Sequence, residues 1–125
     1  MKHFKLFFLA FAVFVAVSCN YERGEADYDV VPLPQSITLL GGEPFVLNSK
    51  TKIVYDANEP QMERNAAFLS EYIKQITGLK LKYEPADGSN FDNNVVISLT
   101  AEDFIKGDEG YMISIGKEGI ALVGK

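Results

Sequence analysis

The stretch Asn58–Leu79, NEPQMERNAAFLSEYIKQITGL, contains the one long helix pattern that follows the N-terminal leader. Asn58 is a residue type favoured at an N-cap, and Pro60 fits the first turn, where a missing N–H costs little. Gln61 stands three residues after Asn58 and can complete a capping box. Gly78 predicts a left-handed residue that ends the helix. The stretch therefore predicts a helix with a marked start and a marked end.

One face of this helix is predicted to be buried. Apolar residues recur every three or four positions along it: Met62, Ala66, Leu69, Ile73 and Ile76. Phe68 and Tyr72 are predicted to widen the apolar face. The helix is thus one layer of a packed domain, and its pattern indicates no chemistry.

Residues 1–18 are predicted to be a bacterial export signal. Lys2 and Lys5 precede the apolar run Leu6–Val17, which at 12 residues is short for a hydrocarbon layer of about 30 Å. Cys19 follows directly, and the junction resembles a lipobox, in which the thiol is lipidated and the chain is cut before it. Ala16 departs from that motif, which more often has Leu there. The alternative is a plain secretory signal with an incidental cysteine.

Residues 19–29 are predicted to be an acidic tether between lipid and domain. The segment is polar, has no apolar rhythm and contains several carboxylates: Glu22, Glu25, Asp27 and Asp29. In some bacteria with two membranes, acidic residues after the lipidated cysteine direct a lipoprotein to the cell surface; a solvated linker is the alternative. Asn20, rather than Asp, favours sorting to the outer membrane. We therefore expect an outer-membrane lipoprotein that faces either the periplasm or the exterior.

Charge and composition exclude several classes of function for the processed chain. Of 12 basic residues, Lys2 and Lys5 leave with the leader, so 10 remain against 17 acidic residues and the net charge is −7. Nucleic acid is thus an unsuitable partner. His3 is the sole histidine and leaves too, which excludes His-dependent nucleophilic catalysis and His-ligated metal sites. One cysteine allows no internal disulfide, and no glycine-rich loop opens a helix, so neither a cofactor nor a metal is predicted.

The remaining residues, 30–125, are predicted to form one α+β domain. Val30–Gln35 contains two prolines and is interpreted as an extended entry segment. Short apolar or β-branched runs predict seven strands: Ser36–Leu40, Phe45–Leu47, Lys52–Tyr55, Leu79–Tyr83, Val95–Leu99, Tyr111–Ile115 and Ile120–Val123. Pro85–Asn94 is predicted to be a surface loop, and Ala101–Ile105 a short helical turn. The last two strands form a hairpin closed by Gly116 and Gly119. We expect a mixed, mostly antiparallel sheet with the long helix packed on it.

Two acid pairs, Glu102-Asp103 and Asp108-Glu109, superficially suggest a glycosidase, because such enzymes use two carboxylates. Both pairs lie in polar surroundings, and nothing in the sequence predicts the burial that general-acid catalysis requires. They are therefore interpreted as solvated residues. The tyrosines that could stack on a sugar occupy core-like or strand positions: Tyr55, Tyr72, Tyr83 and Tyr111. No catalytic residue is predicted.

Several short motifs share their order and spacing with one known module. They are the entry segment Val31–Gln35, the segment Gly42–Leu47, the helix end Thr77-Gly78, the strand start Glu109–Ile113 and the strand Gly119–Leu122. Together they resemble the N-terminal non-catalytic domain of bacterial β-N-acetylhexosaminidases of glycoside hydrolase family 20. The likeness covers residues 30–125. The similar N-terminal domains of family 84 and family 67 glycoside hydrolases are the alternative.

The resemblance implies an α+β sandwich placed before a (β/α)₈ barrel that holds the active site. In the family a second helix follows the Gly119–Leu122 strand and packs on the sheet, so this chain is expected to lack that layer and the barrel. Apolar residues of the last two strands would then be partly exposed: Ile113, Ile115, Ile120 and Leu122. Family members use an adjacent Asp and Glu of the barrel for catalysis. Asp108-Glu109 aligns with a loop of the N-terminal module instead, so that role does not carry over.

Two hypotheses on function follow. In the first, the chain is the front part of a surface or periplasmic β-hexosaminidase and is inactive alone; its partner is the barrel, through which it meets glycan. In the second, it is a free-standing lipoprotein that binds a glycan or a protein without hydrolysis. The absence of Trp from the chain argues against a glycan platform.

Overall fold

The computed structural model describes Tyr28, residues 33–88 and residues 91–125, and it divides the chain into two units, Met1–Thr38 and Leu39–Lys125. The described part of the first unit contains neither helix nor strand. The predicted export signal, Cys19 and all of the tether except Tyr28 lie outside the described residues. No helix in the described ranges is long and apolar enough to cross a membrane.

The described part of the second unit contains one helix and five strands. In chain order they are β1 (Lys52–Tyr55), α1 (Met62–Thr77), β2 (Lys82–Pro85), β3 (Asn94–Leu99), β4 (Tyr111–Gly116) and β5 (Gly119–Gly124). The strands form a single sheet in the order β2-β1-β3-β5-β4. The predicted α+β class, with one long helix and a mixed sheet, is confirmed.

The direction of the strands differs from the prediction. β1 pairs with β2 and β3 in parallel, β3 pairs with β5 in parallel, and the hairpin β4–β5 is antiparallel. The expectation of a mostly antiparallel sheet is therefore wrong. The reason is that α1 and the long loops return the chain to the starting edge of the sheet, and such a crossover connects parallel strands.

Two predicted strands and one predicted helical turn are not formed. Residues 36–47 contain no strand, although the chain bends at Gly42, and Gly41 and Gly42 have φ of 71° and 102°. Phe45 and Leu47 pack against the core instead of pairing with the sheet. Residues 101–105 contain turns rather than helix, and Ile105 is buried there.

The start of α1 differs from the predicted cap, whereas its end is confirmed. The helix begins at Met62, and the residue before it, Gln61, makes no side-chain capping hydrogen bond. Asn58 instead belongs to a turn, in which its backbone N–H and its amide both donate to Asp56 Oδ1 at 2.9 Å. At the other end Gly78 has φ of 77° and donates its N–H to the Lys74 carbonyl at 2.9 Å. Glycine is required there because the left-handed region disfavours a Cβ.

The core lies between α1 and the half of the sheet formed by β1, β2 and β3. Ile53 and Ala66 are fully buried, and Met62 and Leu81 nearly so. Ser70 is also buried, and its hydroxyl donates to the Leu81 carbonyl at 2.6 Å, which satisfies a polar group inside the core. The buried helix face is thus confirmed at its first positions.

Part of the predicted apolar face is exposed. Leu69 and Ile73 are half-buried, but Ile76, Phe68 and Tyr72 are 65%, 73% and 54% exposed. The Phe68 and Tyr72 rings stack on each other, with centroids 6.4 Å apart. The cause is tertiary, since α1 contacts β1, β2 and β3 while its Cα atoms stay more than 8 Å from those of β4 and β5.

The two hairpin glycines give a matched test of packing. A Cβ on Gly119 would lie 2.5 Å from the Phe91 carbonyl oxygen and 2.7 Å from that of Asn94, whereas a Cβ on Gly116 would meet nothing within 4 Å. We expect Gly119→Ala to lower the free energy of unfolding by about 1–3 kcal/mol because backbone atoms must move. Gly116→Ala should change it little. Urea unfolding followed by circular dichroism measures both, and equal midpoints would contradict the prediction.

Candidate functional site: an open apolar groove

The half of the sheet that α1 leaves uncovered forms the floor of a groove. Ile97 of β3, Leu122 of β5 and Ile113 of β4 are cross-strand partners, so their side chains lie on the same face of the sheet. Ile113 is 50% exposed, and Ile115 beside it is 58% exposed. The predicted partial exposure of apolar residues on the last two strands is therefore confirmed: Ile113 and Ile115 on β4 are exposed, and Ile120 and Leu122 on β5 are half-buried.

One side of α1 forms the wall of this groove. Met62, Asn65 and Leu69 line it from the helix, and the space between wall and floor has a volume of about 360 Å³. The rest of the lining is largely apolar: Ile97, Ser98, Leu99, Tyr111, Met112, Ile113, Leu122, Val123 and Gly124. Phe68, Tyr72 and Ile76 repeat every four residues and continue an exposed apolar row along the helix. The groove is therefore an apolar corner between a helix and a sheet.

The chemistry of the groove suits packing better than the capture of a small molecule. Small-molecule sites combine an enclosed apolar cavity with a few convergent polar groups. This groove is open, and Asn65 and Ser98 supply the polar side chains of its helix wall and β3 floor. Contiguous exposed apolar surface of this kind marks a contact with another layer of protein.

The acid pairs lie away from the groove. Glu102-Asp103 and Asp108-Glu109 occupy the loop between β3 and β4, and all four residues are exposed. Asp103 accepts a hydrogen bond from Lys125 Nζ at 3.3 Å. Among the described residues, no group of three or more His, Cys, Asp or Glu side chains could hold a metal ion. These carboxylates therefore lie on the surface, where they can contact solvent and, for Asp103, a lysine side chain.

The tyrosines are distributed over different parts of the fold. Tyr55 is buried in the core, whereas Tyr72, Tyr83 and Tyr111 are about half-exposed and are less core-like than their positions in the sequence predict. Tyr83 and Tyr111 lie on β2 and β4, which are the opposite edges of the sheet. These side chains therefore do not form one stacking platform for a sugar.

The sequence did not predict a polar cluster formed by Asn48, Thr51 and Asn93. Asn93 Oδ1 accepts hydrogen bonds from the Asn48 amide and the Thr51 hydroxyl, each at 3.0 Å, and the Asn93 N–H donates to the Glu118 carbonyl at 2.6 Å. Asn93 has a φ of 59°, a conformation that asparagine tolerates better than most residues. The cluster joins the starts of β1 and β3 to the hairpin turn. Its role is structural. The only feature of the sequence that indicated this cluster is the presence of three asparagines within residues 90–94.

Tyr55 provides a titration test of the core. Burial raises the pKa of its phenol above the ordinary value of 10.0, and the nearby Glu63 and Tyr83 raise it further. A raised pKa means that the fold favours the neutral phenol, so this stabilisation is full below pH 10 and is lost as the pH rises past the folded-state pKa. We expect Tyr55→Phe to reduce the loss of stability between pH 9 and pH 12. The half-exposed Tyr72→Phe is the control, and identical alkaline unfolding curves for both variants would contradict this account.

The fold and the groove define the class of the chain as an α+β module with an apolar packing face. A family model described as glycosyl hydrolase family 20, domain 2, matches residues 27–125. The chain therefore belongs to this family, and the resemblance found in the sequence is confirmed. A comparison with curated proteins gave no match.

Proposed function

We propose that this chain is the N-terminal accessory domain of a β-N-acetylhexosaminidase, an enzyme that removes terminal N-acetylhexosamine from glycans. The catalytic barrel of the parent enzyme lies beyond Lys125. The observation that carries the proposal is the family match over residues 27–125. The chain itself contributes a folded layer against which the rest of the enzyme packs.

The groove supports an accessory role. Its floor at Ile113 and Leu122 and its wall at Leu69 need a covering layer of protein, because exposed apolar area costs about 25 cal/mol per Å² relative to buried area. A helix supplied by the chain after β5 would fill this corner. The exposed acid pairs, in contrast, lack the burial that catalysis by this domain would need.

The reading frame downstream of Lys125 tests the proposal. An in-frame barrel containing an adjacent Asp and Glu would support it, and the extended protein should hydrolyse an aryl N-acetyl-β-hexosaminide while residues 1–125 release no product. A natural stop codon with no barrel sequence nearby would favour the free-standing binding lipoprotein. Hydrolysis by residues 1–125 alone would contradict the accessory role.

The second part of the proposal concerns location. The domain is exported under the direction of residues 1–18, lipidated at Cys19 and held at the outer membrane through the tether 19–29. The support is the order of the segments, since two lysines, an apolar run and a cysteine come before an acidic stretch. A lipid anchor would hold the parent enzyme at the membrane, within reach of periplasmic or external glycans.

A further inference from the structure

Four lysines lie close together where β1 and β2 begin, and we call them the lysine patch: Lys50, Lys52, Lys80 and Lys82. Lys52 and Lys82 are partners in the parallel pair β1–β2, so their Cα atoms are about 5 Å apart. Lys80 comes two residues before Lys82, and Lys50 lies in the turn two residues before Lys52. The pairing of two strands that are distant in sequence therefore assembles the patch.

The patch lies on the face of the sheet opposite α1. Ile53 and Leu81 belong to the core beneath the helix. Because side chains alternate along an extended chain, their neighbours Lys52, Lys80 and Lys82 point to the other face. Lys80 and Lys82 are exposed, and the Lys52 side chain is 44% exposed. The positive charges are thus presented to solvent on a face that α1 does not cover.

Most of this positive charge has no partner. Glu84 forms an ion pair with Lys52 at 2.6 Å, and the other three lysines of the patch form no ion pair within the described residues. Asp92 lies nearby, because Asn93 beside it accepts a hydrogen bond from the Thr51 hydroxyl at 3.0 Å. Four lysines against the carboxylates of Glu84 and Asp92 leave a net charge of +2. Like charges that face each other across strands are destabilising, so a bound anion would stabilise the patch.

The acidic residues are concentrated at the other end of the parallel strands. That end carries two lysines, Lys106 and Lys125, against a larger set of carboxylates: Asp56, Glu59, Asp87, Glu102, Asp103, Asp108 and Glu109. The hairpin turn between β4 and β5, two strands away from β1, carries Glu118 and Lys117, and Lys117 pairs with Glu43 at 2.7 Å. The domain therefore has one positive corner on a chain whose net charge is −5, and an anionic surface would bind it in one orientation.

We propose that the lysine patch contacts the phosphate head groups of the membrane to which the protein is anchored. This inference rests on the location proposed above, in which the lipid at Cys19 keeps the domain close to that surface. Lysines near an anionic lipid surface are attracted to it. A tethered domain needs only a weak attraction, since the anchor supplies a high effective concentration. The contact turns the acidic end of the strands away from the membrane.

The acetylation rate of individual lysines tests the contact. The full chain is reconstituted on vesicles of phosphatidylcholine and on vesicles of equal parts phosphatidylcholine and phosphatidylglycerol, and each rate is measured by peptide mass spectrometry. We expect Lys80 and Lys82 to react several times more slowly on the anionic vesicles. Lys106 is the control and should react equally on both, because it is exposed in the β3–β4 loop at the acidic end. Salt at about 1 M, where the Debye length is about 3 Å, should remove the difference. Equal rates for Lys80 and Lys82 on the two kinds of vesicle, or the same slowing at Lys106, would overturn the proposal.

Charge reversal gives a second test that does not depend on the lipid. In the Cys19→Ala chain, Lys82→Glu should lower several-fold the fraction bound to the anionic vesicles relative to the neutral ones. Lys106→Glu changes the net charge equally and should lower that fraction little. An equal decrease for both variants, or no decrease for Lys82→Glu, would overturn the proposal.

An anionic glycan is the competing partner for the same lysines. Slower acetylation of Lys80 and Lys82 with soluble heparin, but not on anionic vesicles, would assign the patch to a glycan and overturn the membrane contact. Failure of the lipid anchor is a separate result, because it is measured by whether Cys19→Ala leaves the membrane fraction of cells.

Discussion

Replacing Ile53 by alanine is expected to lower the free energy of unfolding by about 2–5 kcal/mol, the range for removing a large buried aliphatic side chain. Ile53 is fully buried on β1, an interior strand of the sheet whose neighbours are β2 and β3. It belongs to the same cluster as Met62, Ala66 and Leu81, so the cavity would open where helix and sheet meet. Domains have about 5–15 kcal/mol of stability in total, so this loss would remove a large fraction of it.

Ile76→Ala is the matched control for this substitution. Ile76 lies on the exposed row of α1, so its truncation creates no cavity and should change the free energy of unfolding by less than about 0.5 kcal/mol. Urea unfolding of both variants measures the difference. If Ile76→Ala were as costly as Ile53→Ala, Ile76 would already be covered by another part of the chain.

Replacing Cys19 by alanine is expected to transfer the protein from the membrane fraction to the soluble fraction. In the proposed lipoprotein, stable anchoring would depend on acyl chains attached at this thiol, because each buried CH₂ contributes about 0.8 kcal/mol to membrane affinity. Cell fractionation measures the change, and mass spectrometry of the mature N-terminus reports the lipid directly. Asn20→Ala, at the next residue, is the control and should remain membrane-bound.

The opposite result would identify another anchor. If Cys19→Ala stayed with membranes, the apolar run Leu6–Val17 would itself hold the protein there, and the lipoprotein proposal would be wrong. Release of both variants would indicate that the substituted region, rather than the thiol, controls processing. The fold described for residues 39–125 would be unaffected by either outcome.

Much of the fold follows from local pattern. Lys52–Tyr55 is a strand with the predicted bounds, and the hairpin strands differ from their predicted bounds by a residue at each end at most. Gly78 ends α1 as predicted, because only the left-handed conformation at that position allows the chain to leave the helix so sharply. These features depend on neighbours in the chain, and sequence is sufficient for them.

Local sequence pattern could not predict how the N-terminus of α1 is capped or in which direction the strands pair. Asn58 could cap a helix or form a turn. It forms the turn because its N–H donates to the nearby carboxylate of Asp56. The strand at Lys82–Pro85 has the same alternation whether its partner runs parallel or antiparallel, so its pairing with β1 depended on the path of α1. Residues 37–40 are each β-branched or apolar, yet no partner strand pairs with them in the described structure.

The sequence by itself determined the helix, the strands β1 and β3, the hairpin and the family, since each depends on residues close together or on motifs of fixed order. The strand β2 begins three residues later than the predicted strand Leu79–Tyr83. Tertiary structure alone decided how far the buried face of α1 extends. The helix lies over β1 and β2, so Ala66 is enclosed while Phe68 and Tyr72, equally apolar, face outward. The groove at Leu69 and Ile113 arises for the same reason. Burial depends on which surfaces the fold brings together, and the spacing of apolar residues cannot specify how far a neighbouring layer extends.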